Sequence, residues 1–328
     1  MSNKKSKIGV LFTTRNNYHL MHEMFFRKTT ADLSNVSIFN IDIGSDEKQR
    51  EYAQNLLKHY NITDIEVDLQ KDPDAKAVAR DIEICIQHIE ENNLDIEWLL
   101  WFSHDCYLIG DDFLTNLEKK LEDNPRFEDE VGMIGFCDYN QIEVGKPLYG
   151  RGELVKGINE IGNGWYQDLP KEYSESEYFV VEAPNDNGLL VNIKLWKKYI
   201  KPDNDFVLFF WGDDICAQFA LNGIASITIP SLEMADLYRD KPAFGVTRSL
   251  SSNPRFHTEN YANDPNNPPW ERNWYKKYKF KRAIIEHWST NPIRKEFLEA
   301  SDMYKGSIQE KIFNWHINDG PKTLDDLK

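Results

Sequence analysis

Two short stretches of this chain put carboxylates where chemistry can be done. Trp98-Leu-Leu-Trp-Phe-Ser-His-Asp105 is an apolar run that ends in an acid, as a strand delivering a side chain to the rim of a sheet would. Phe209-Phe-Trp-Gly-Asp213-Asp214 ends a second apolar run in two acids, where a helix begins. Ligands of α/β sheets bind at strand ends and helix starts. An acid at the first position can hold a divalent cation against a diphosphate, and one at the second can take a proton from a hydroxyl.

The elements that must position these acids follow from periodicity. Ile8 to Phe12 and Val36 to Ile43 read as strands, and Ile62 to Leu69 as a third. Between and after them, His19 to Lys28, Asp46 to Tyr60 and the stripe Val78, Ile82, Cys85, Ile86, Ile89 read as helices. Trp98 to Phe102 is a fourth strand, Asp111 opens a helix, and Val131 to Phe136 is a fifth strand. Strands alternating with helices predict an α/β fold with a mostly parallel, Rossmann-like central sheet flanked by helices. The stretch from Asp138 to Ser176 loses this pattern and reads as a long functional loop. Order returns with a strand entering a helix at Gly188 to Trp196, a helix from Asp213 to Leu221 stopped by Asn222-Gly223, and a strand from Ile224 to Ile229. Composition shifts beyond Asp240, so two units are expected: a catalytic unit over 1–240 and a loop and helical extension over 241–328. No internal repeats occur.

The formal charge of −15 over 328 residues excludes a dedicated nucleic-acid binder, which needs a basic face. The apolar run after Met1 is too short for a signal-peptide core, and nothing approaches the roughly 20 apolar residues of a membrane span. A cytoplasmic protein is expected. Cys85, Cys106, Cys137 and Cys216 sit singly in apolar segments and read as reduced core thiols. The run from Glu271 to Arg282 interleaves six basic residues with four aromatics. It reads as an amphipathic helix over the sheet, or as a peripheral contact with an anionic lipid surface.

The order of these motifs resembles the family 2 inverting glycosyltransferases of the A-type fold, over roughly residues 7 to 240. Ile8-Gly-Val-Leu-Phe-Thr-Thr-Arg-Asn is similar to that family's opening strand and nucleotide loop, and Ile41-Asp-Ile-Gly-Ser-Asp to its second strand. Ala77-Val-Ala-Arg80-Asp81 resembles its Ala-Arg-Asn element. Trp101-Phe-Ser-His-Asp105 stands in the place of the Asp-x-Asp strand, and Trp211-Gly-Asp213-Asp214 in that of the Glu-Asp base motif. Ser103 occupies the position of the first Asp, and Ile43 that of a usual acid. Asp236 stands near the place of a late His, with His257 further on.

The resemblance implies a donor, a nucleoside diphosphate sugar expected to be UDP-linked, contacted by Thr13, Arg15, Asp42, Ser45, Arg80, His104 and Asp105. It implies a divalent cation, Mn²⁺ or Mg²⁺, on Asp105. Asp214 is then the base, Asp213 caps the helix or orients the acceptor, and Trp211 meets the acceptor, a saccharide or lipid-linked hydroxyl. Trp165, Tyr166 and Phe210 are further candidates for a sugar platform. Two other readings stand beside this one: a non-catalytic saccharide-binding or scaffolding protein of the same fold, and a nucleotidyltransferase, whose Gly- and Lys-rich nucleotide loop is absent after the first strand.

Overall fold

Apolar runs and helical stripes build one sheet with helices on both faces, in a computed structural model that describes residues 5–75, 77–139, 147–148, 170–185, 187–206, 211–236, 269–278, 305–315 and 319–328. In chain order the elements are β1 (Ile8–Thr14), α1 (Tyr18–Met21) running on as a π-helix (His22–Phe26), β2 (Ser37–Asp42), α2 (Glu47–His59), β3 (Thr63–Ile65), α3 (Val78–Glu91), β4 (Trp98–Phe102), β5 (Cys106–Ile109), α4 (Phe113–Asp123) and α5 (Phe127–Glu130). They continue with β6 (Val131–Tyr139), β7 (Pro147–Leu148), α6 (Lys171–Ser174), β8 (Phe179–Val181), β9 (Gly188–Asn192), α7 (Ile193–Tyr199), α8 (Trp211–Leu221), β10 (Ala225–Asp236), α9 (Pro269–Tyr278), α10 (Ile308–Asn314) and a 3-10 turn (Leu324–Leu327).

The strand order is β3-β2-β1-β4-β9-β6-β10-β5, with β7 beside β6 and β8 beside β10. The half made of β3, β2, β1 and β4 is parallel, as the alternation of strand and helix predicts. The other half corrects the expectation of a mostly parallel sheet. There β9 runs antiparallel to both β4 and β6, and β5 and β8 run antiparallel to β10. A short buried run such as Leu189-Leu-Val pairs equally well in either direction, so its local pattern carries no direction. β5 and β8 are strands that periodicity missed, and β3 is shorter than the predicted Ile62 to Leu69.

The register sets the rim. Thr14 pairs with Asp42 and Phe12 with Phe102, so the three parallel strands β2, β1 and β4 end close together. Because β9 is antiparallel and Gly188 faces Phe102, the chain enters β9 at this same rim.

The two faces carry separate cores. Against one lie α3, α7, α8 and α9, through Ile82, Ile86, Trp196, Ile215 and Trp274. Against the other lie α1, α2 and α4, through Met21, Leu56, Phe113 and Leu117, joined by Ile312 of α10 and by Leu324. Each such aliphatic or aromatic side chain stabilises by about 1.5–3 kcal/mol when fully buried. The described pieces beyond residue 240 thus pack on both faces. All four cysteines are free and buried. Among the described residues no helix is long and apolar enough to cross a membrane.

The α8 layer sits so close to β6 that a Cβ at Gly132 would lie 2.4–2.6 Å from the Phe219 ring. Gly132→Ala is therefore expected to lower unfolding stability by about 1–3 kcal/mol, the usual cost of overpacking a filled core. Urea denaturation checks this, and an unchanged midpoint would contradict the packing.

Candidate active site

The loops that follow β1 and β2 are laced together. Asn16 adopts φ 55°, a left-handed conformation that Asn tolerates better than most residues. That turn lets its N–H donate to Ser45 Oγ at 2.9 Å while its Oδ1 accepts from the Asp46 N–H at 2.7 Å. Asp46 in turn caps α2, accepting from the Gln49 N–H at 2.9 Å. Asp42 folds the second loop: its Oδ1 accepts the N–H groups of Gly44 and Ser45 at 2.9 and 2.7 Å, around a Gly44 with φ 95°. Its Oδ2 accepts from the Tyr18 hydroxyl at 3.0 Å.

Behind that carboxylate runs a buried polar network. Thr14 donates to Asn40 Oδ1 at 2.7 Å, and the Asn40 amide donates to Tyr18 Oη at 3.0 Å and to Asp64 at 2.7 Å. Burial pushes the Tyr18 phenol well above its ordinary range, reinforced by Asp42, so it stays a neutral donor. The Asp64 carboxyl is likewise raised by burial.

The turn after β4 closes the rim. Asp105 Oδ1 accepts the Ser103 hydroxyl at 2.5 Å and the Cys106 thiol at 3.6 Å. Its Oδ2 takes no hydrogen bond from the described residues. His104 Nε2 meets the Asn17 amide nitrogen at 3.0 Å, and the buried Asn17 Oδ1 has no hydrogen-bond partner among the described residues. Burial holds the His104 imidazole below its ordinary value despite the raising effect of Asp105. The ring is therefore neutral near pH 7 and accepts from Asn17. Arg15 is half-buried and its guanidinium has no ion pair among the described residues.

Arg80 is placed differently from the expectation that it faces a phosphate. Its Nε and Nη2 donate to Asp72 at 3.2 and 2.9 Å, and its Nη1 pairs with Glu83. Both edges of the guanidinium are taken by neighbouring acids. Of the two expected basic contacts, Arg15 is the one without an ion pair among the described residues.

At the far side of the rim, Trp101 connects β4 to the start of α8. Its indole N–H donates to Thr13 Oγ1 at 3.3 Å, and its ring meets that of Trp211 edge-on with centroids 4.8 Å apart. Trp211 is 1% exposed, so this face is spent on packing rather than open to an acceptor. Asp213 and Asp214 follow in the first turn of α8, both buried.

Asp214 is covered by α9. Its Oδ1 pairs with Lys277 Nζ at 2.7 Å and accepts from the Tyr278 hydroxyl, and its Oδ2 accepts from Gln218 Nε2 at 2.8 Å. Lys277 also reaches Asp203 at 2.9 Å. Burial raises the Asp214 carboxyl above its ordinary value, and Lys277 works against that shift. Sequence reasoning missed Lys277, Tyr278 and Asp203. Nothing local in the basic and aromatic run marks which of its members turn inward, although Trp274 and Tyr278 share a helix face at i and i+4. Both are buried, so neither is free to meet a lipid surface.

Also unforeseen is Asp138 at the end of β6, which is fully buried and accepts from the side-chain amides of Asn185 and Asn187. Trp165, Tyr166, Phe210 and His257 lie outside the described residues, as does the side chain of Asp236. Two cavities of about 340 and 500 Å³ open at the opposite end of the strands, where Glu97 and Trp98 line both, and neither touches the candidate residues.

The donor set bears on a cation. Among the described residues no three His, Cys, Asp or Glu side chains converge as a metal cage. Mg²⁺ keeps waters and is bound through one or two carboxylates plus substrate phosphates. One carboxylate with an open oxygen fits an ion that arrives with a diphosphate, and does not fit a cage built by protein alone.

No family model matches the chain, and no curated protein matches it. Solved structures do. The mannosyltransferase PcManGT from Pyrobaculum calidifontis, in complex with GDP-Man and Mn²⁺, is 12% identical with a TM-score of 0.46, over 75% of this chain and 61% of that one. GalNAc-T7 with UDP, GalNAc and Mn²⁺ is 14% identical with a TM-score of 0.47, over 73% and 45%. S. aureus TarS is 10% identical with a TM-score of 0.46, over 75% and 39%. This chain spans less than two thirds of the length of each.

Proposed function

We propose that the protein is an inverting glycosyltransferase that moves a sugar from a nucleoside diphosphate donor, UDP-linked in the first instance, to the hydroxyl of a saccharide or lipid-linked acceptor. The observation that carries this reading is the rim itself. Loops from the ends of β1, β2 and β4 meet there and carry Arg15, with no ion pair among the described residues, Asp105, with one oxygen open among them, and the laced Asn16, Asp42 and Ser45. Cation, open carboxylate and backbone turns together suit a diphosphate with an attached nucleoside.

In this reading Asp42 and Ser45 border the nucleoside, Thr13 and Arg15 the phosphates, and His104 the same loop from below. Asp105 would hold a divalent ion, which when bound would neutralise charge on the departing diphosphate. Asp214 takes the acceptor's proton, with Asp213 beside it in the first turn of α8. Trp211 acts at one remove, by seating α8 against Trp101. A base must come within about 2.6–3.2 Å of the hydroxyl it deprotonates. Asp214 is 1% exposed with both oxygens engaged, so turnover requires α9 to yield part of its hold.

A screen of UDP, GDP and their sugars by thermal shift, with and without Mn²⁺, tests the proposal. A ligand at 100 times its Kd stabilises by about 2.7 kcal/mol, several degrees in Tm for a chain of this size. At least one nucleotide is expected to give that shift, larger with Mn²⁺. Glycan binding without any nucleotide response would instead favour a saccharide-binding protein.

A further inference from the structure

We infer that Asp138 is a positioning residue for Asp105, acting through Asn187 and Ser103; this rests on the reading that Asp105 meets a cation carried in with a diphosphate. The path is continuous. Asp138 Oδ2 accepts from Asn187 Nδ2 at 2.6 Å, the Asn187 carbonyl accepts the Ser103 N–H at 2.9 Å, and the Ser103 hydroxyl donates to Asp105 Oδ1 at 2.5 Å. That last bond occupies one oxygen of Asp105 and turns the other free.

The anchor is built rather than incidental. Asp138 is 0% exposed, and burying a carboxylate is costly unless hydrogen bonds satisfy it. It gathers two amides, Asn185 and Asn187, from the segment between β8 and β9. This segment is pressed onto the sheet at both ends. A Cβ at Gly188 would lie 2.8 Å from the Phe102 ring and 3.0 Å from Met234 Sδ, and one at Gly135 would lie 2.4 Å from Pro184 Cβ. These close approaches seat the segment against β4, the strand that leads into the turn of Ser103 and Asp105. Among the described residues, the hydrogen bonds that link Asp138 to Asp105 run through Asn187 and Ser103.

The test is titration of UDP and of GDP into the full chain, in Mn²⁺ and in EDTA, for the wild type, Asp138→Asn and Asn187→Ala. Asn187→Ala keeps the carbonyl that holds Ser103 and removes the amide that meets Asp138. Both variants are expected to lose about 10–100-fold in affinity in Mn²⁺, the range for residues that orient a metal-binding carboxylate, and to match the wild type in EDTA. Equal losses in both buffers would make Asp138 a merely structural residue and overturn the inference, as would full affinity in Mn²⁺. If Asp138→Asn does not fold, Asn187→Ala decides alone. A wild type that binds neither nucleotide overturns the reading of the site itself, a result distinct from altered variants of a binding wild type.

Discussion

Asp214→Asn is expected to bind a nucleotide donor as the wild type does and to transfer sugar about 10²–10⁴-fold more slowly, the contribution typical of a positioned general base. The amide is nearly isosteric and can still accept from Gln218 or Tyr278, so the fold should survive. What it cannot do is accept a proton. Single-turnover transfer beside nucleotide titration separates the two effects, and undiminished turnover would remove Asp214 from the role. The pH profile gives an independent check with a defined sign. The base works only when ionised, so kcat/KM falls as pH drops through its pKa. Burial raises that pKa and Lys277 lowers it. Lys277→Met should therefore move the acid limb to higher pH, with a larger loss at pH 6 than at pH 8. A limb that stays in place would show that Asp214 does not set it.

Asp105→Ala should abolish the Mn²⁺-dependent part of nucleotide affinity, a loss above about 100-fold, since it removes the carboxylate rather than a residue that orients it. Affinity in EDTA should change little, because Arg15, Asp42 and Ser45 are untouched. Calorimetry in both buffers measures the difference. The comparison is specific: the same variant with its Mn²⁺ increment intact would mean that the ion, if bound, is held elsewhere on the rim.

Much of the parallel half of the sheet could be read from the chain. Val78, Ile82, Cys85, Ile86 and Ile89 recur at helical spacing and face one core, and Asp46 stands where a cap belongs. These are local properties, encoded within a turn or a strand. The same holds for the acids at the ends of apolar runs, since a run that stops in Asp105 or Asp214 marks a strand end or helix start by itself. Asn16 was accessible in principle, because an Asn after a strand signals a left-handed turn, yet its partners Ser45 and Asp46 lie 29 and 30 residues away.

Direction, environment and closure were decided only by tertiary structure. Leu189-Leu-Val carries no mark of antiparallel pairing, because a strand buried on both faces shows the same apolar run either way. Arg80 reads as a phosphate contact by itself, whereas the fold turns its guanidinium to Asp72 and Glu83, and Trp211 reads as a sugar platform, whereas the fold packs it against Trp101. Lys277 and Tyr278 reach Asp214 across more than sixty positions, and Asn185 and Asn187 reach Asp138 across more than forty. Sequence determined which residues can accept protons, donate hydrogen bonds or pack. Which of them stay free to act depends on who else occupies the same few ångströms, and hydrogen bonds and ion pairs form between side chains that only the folded chain brings within 3 Å.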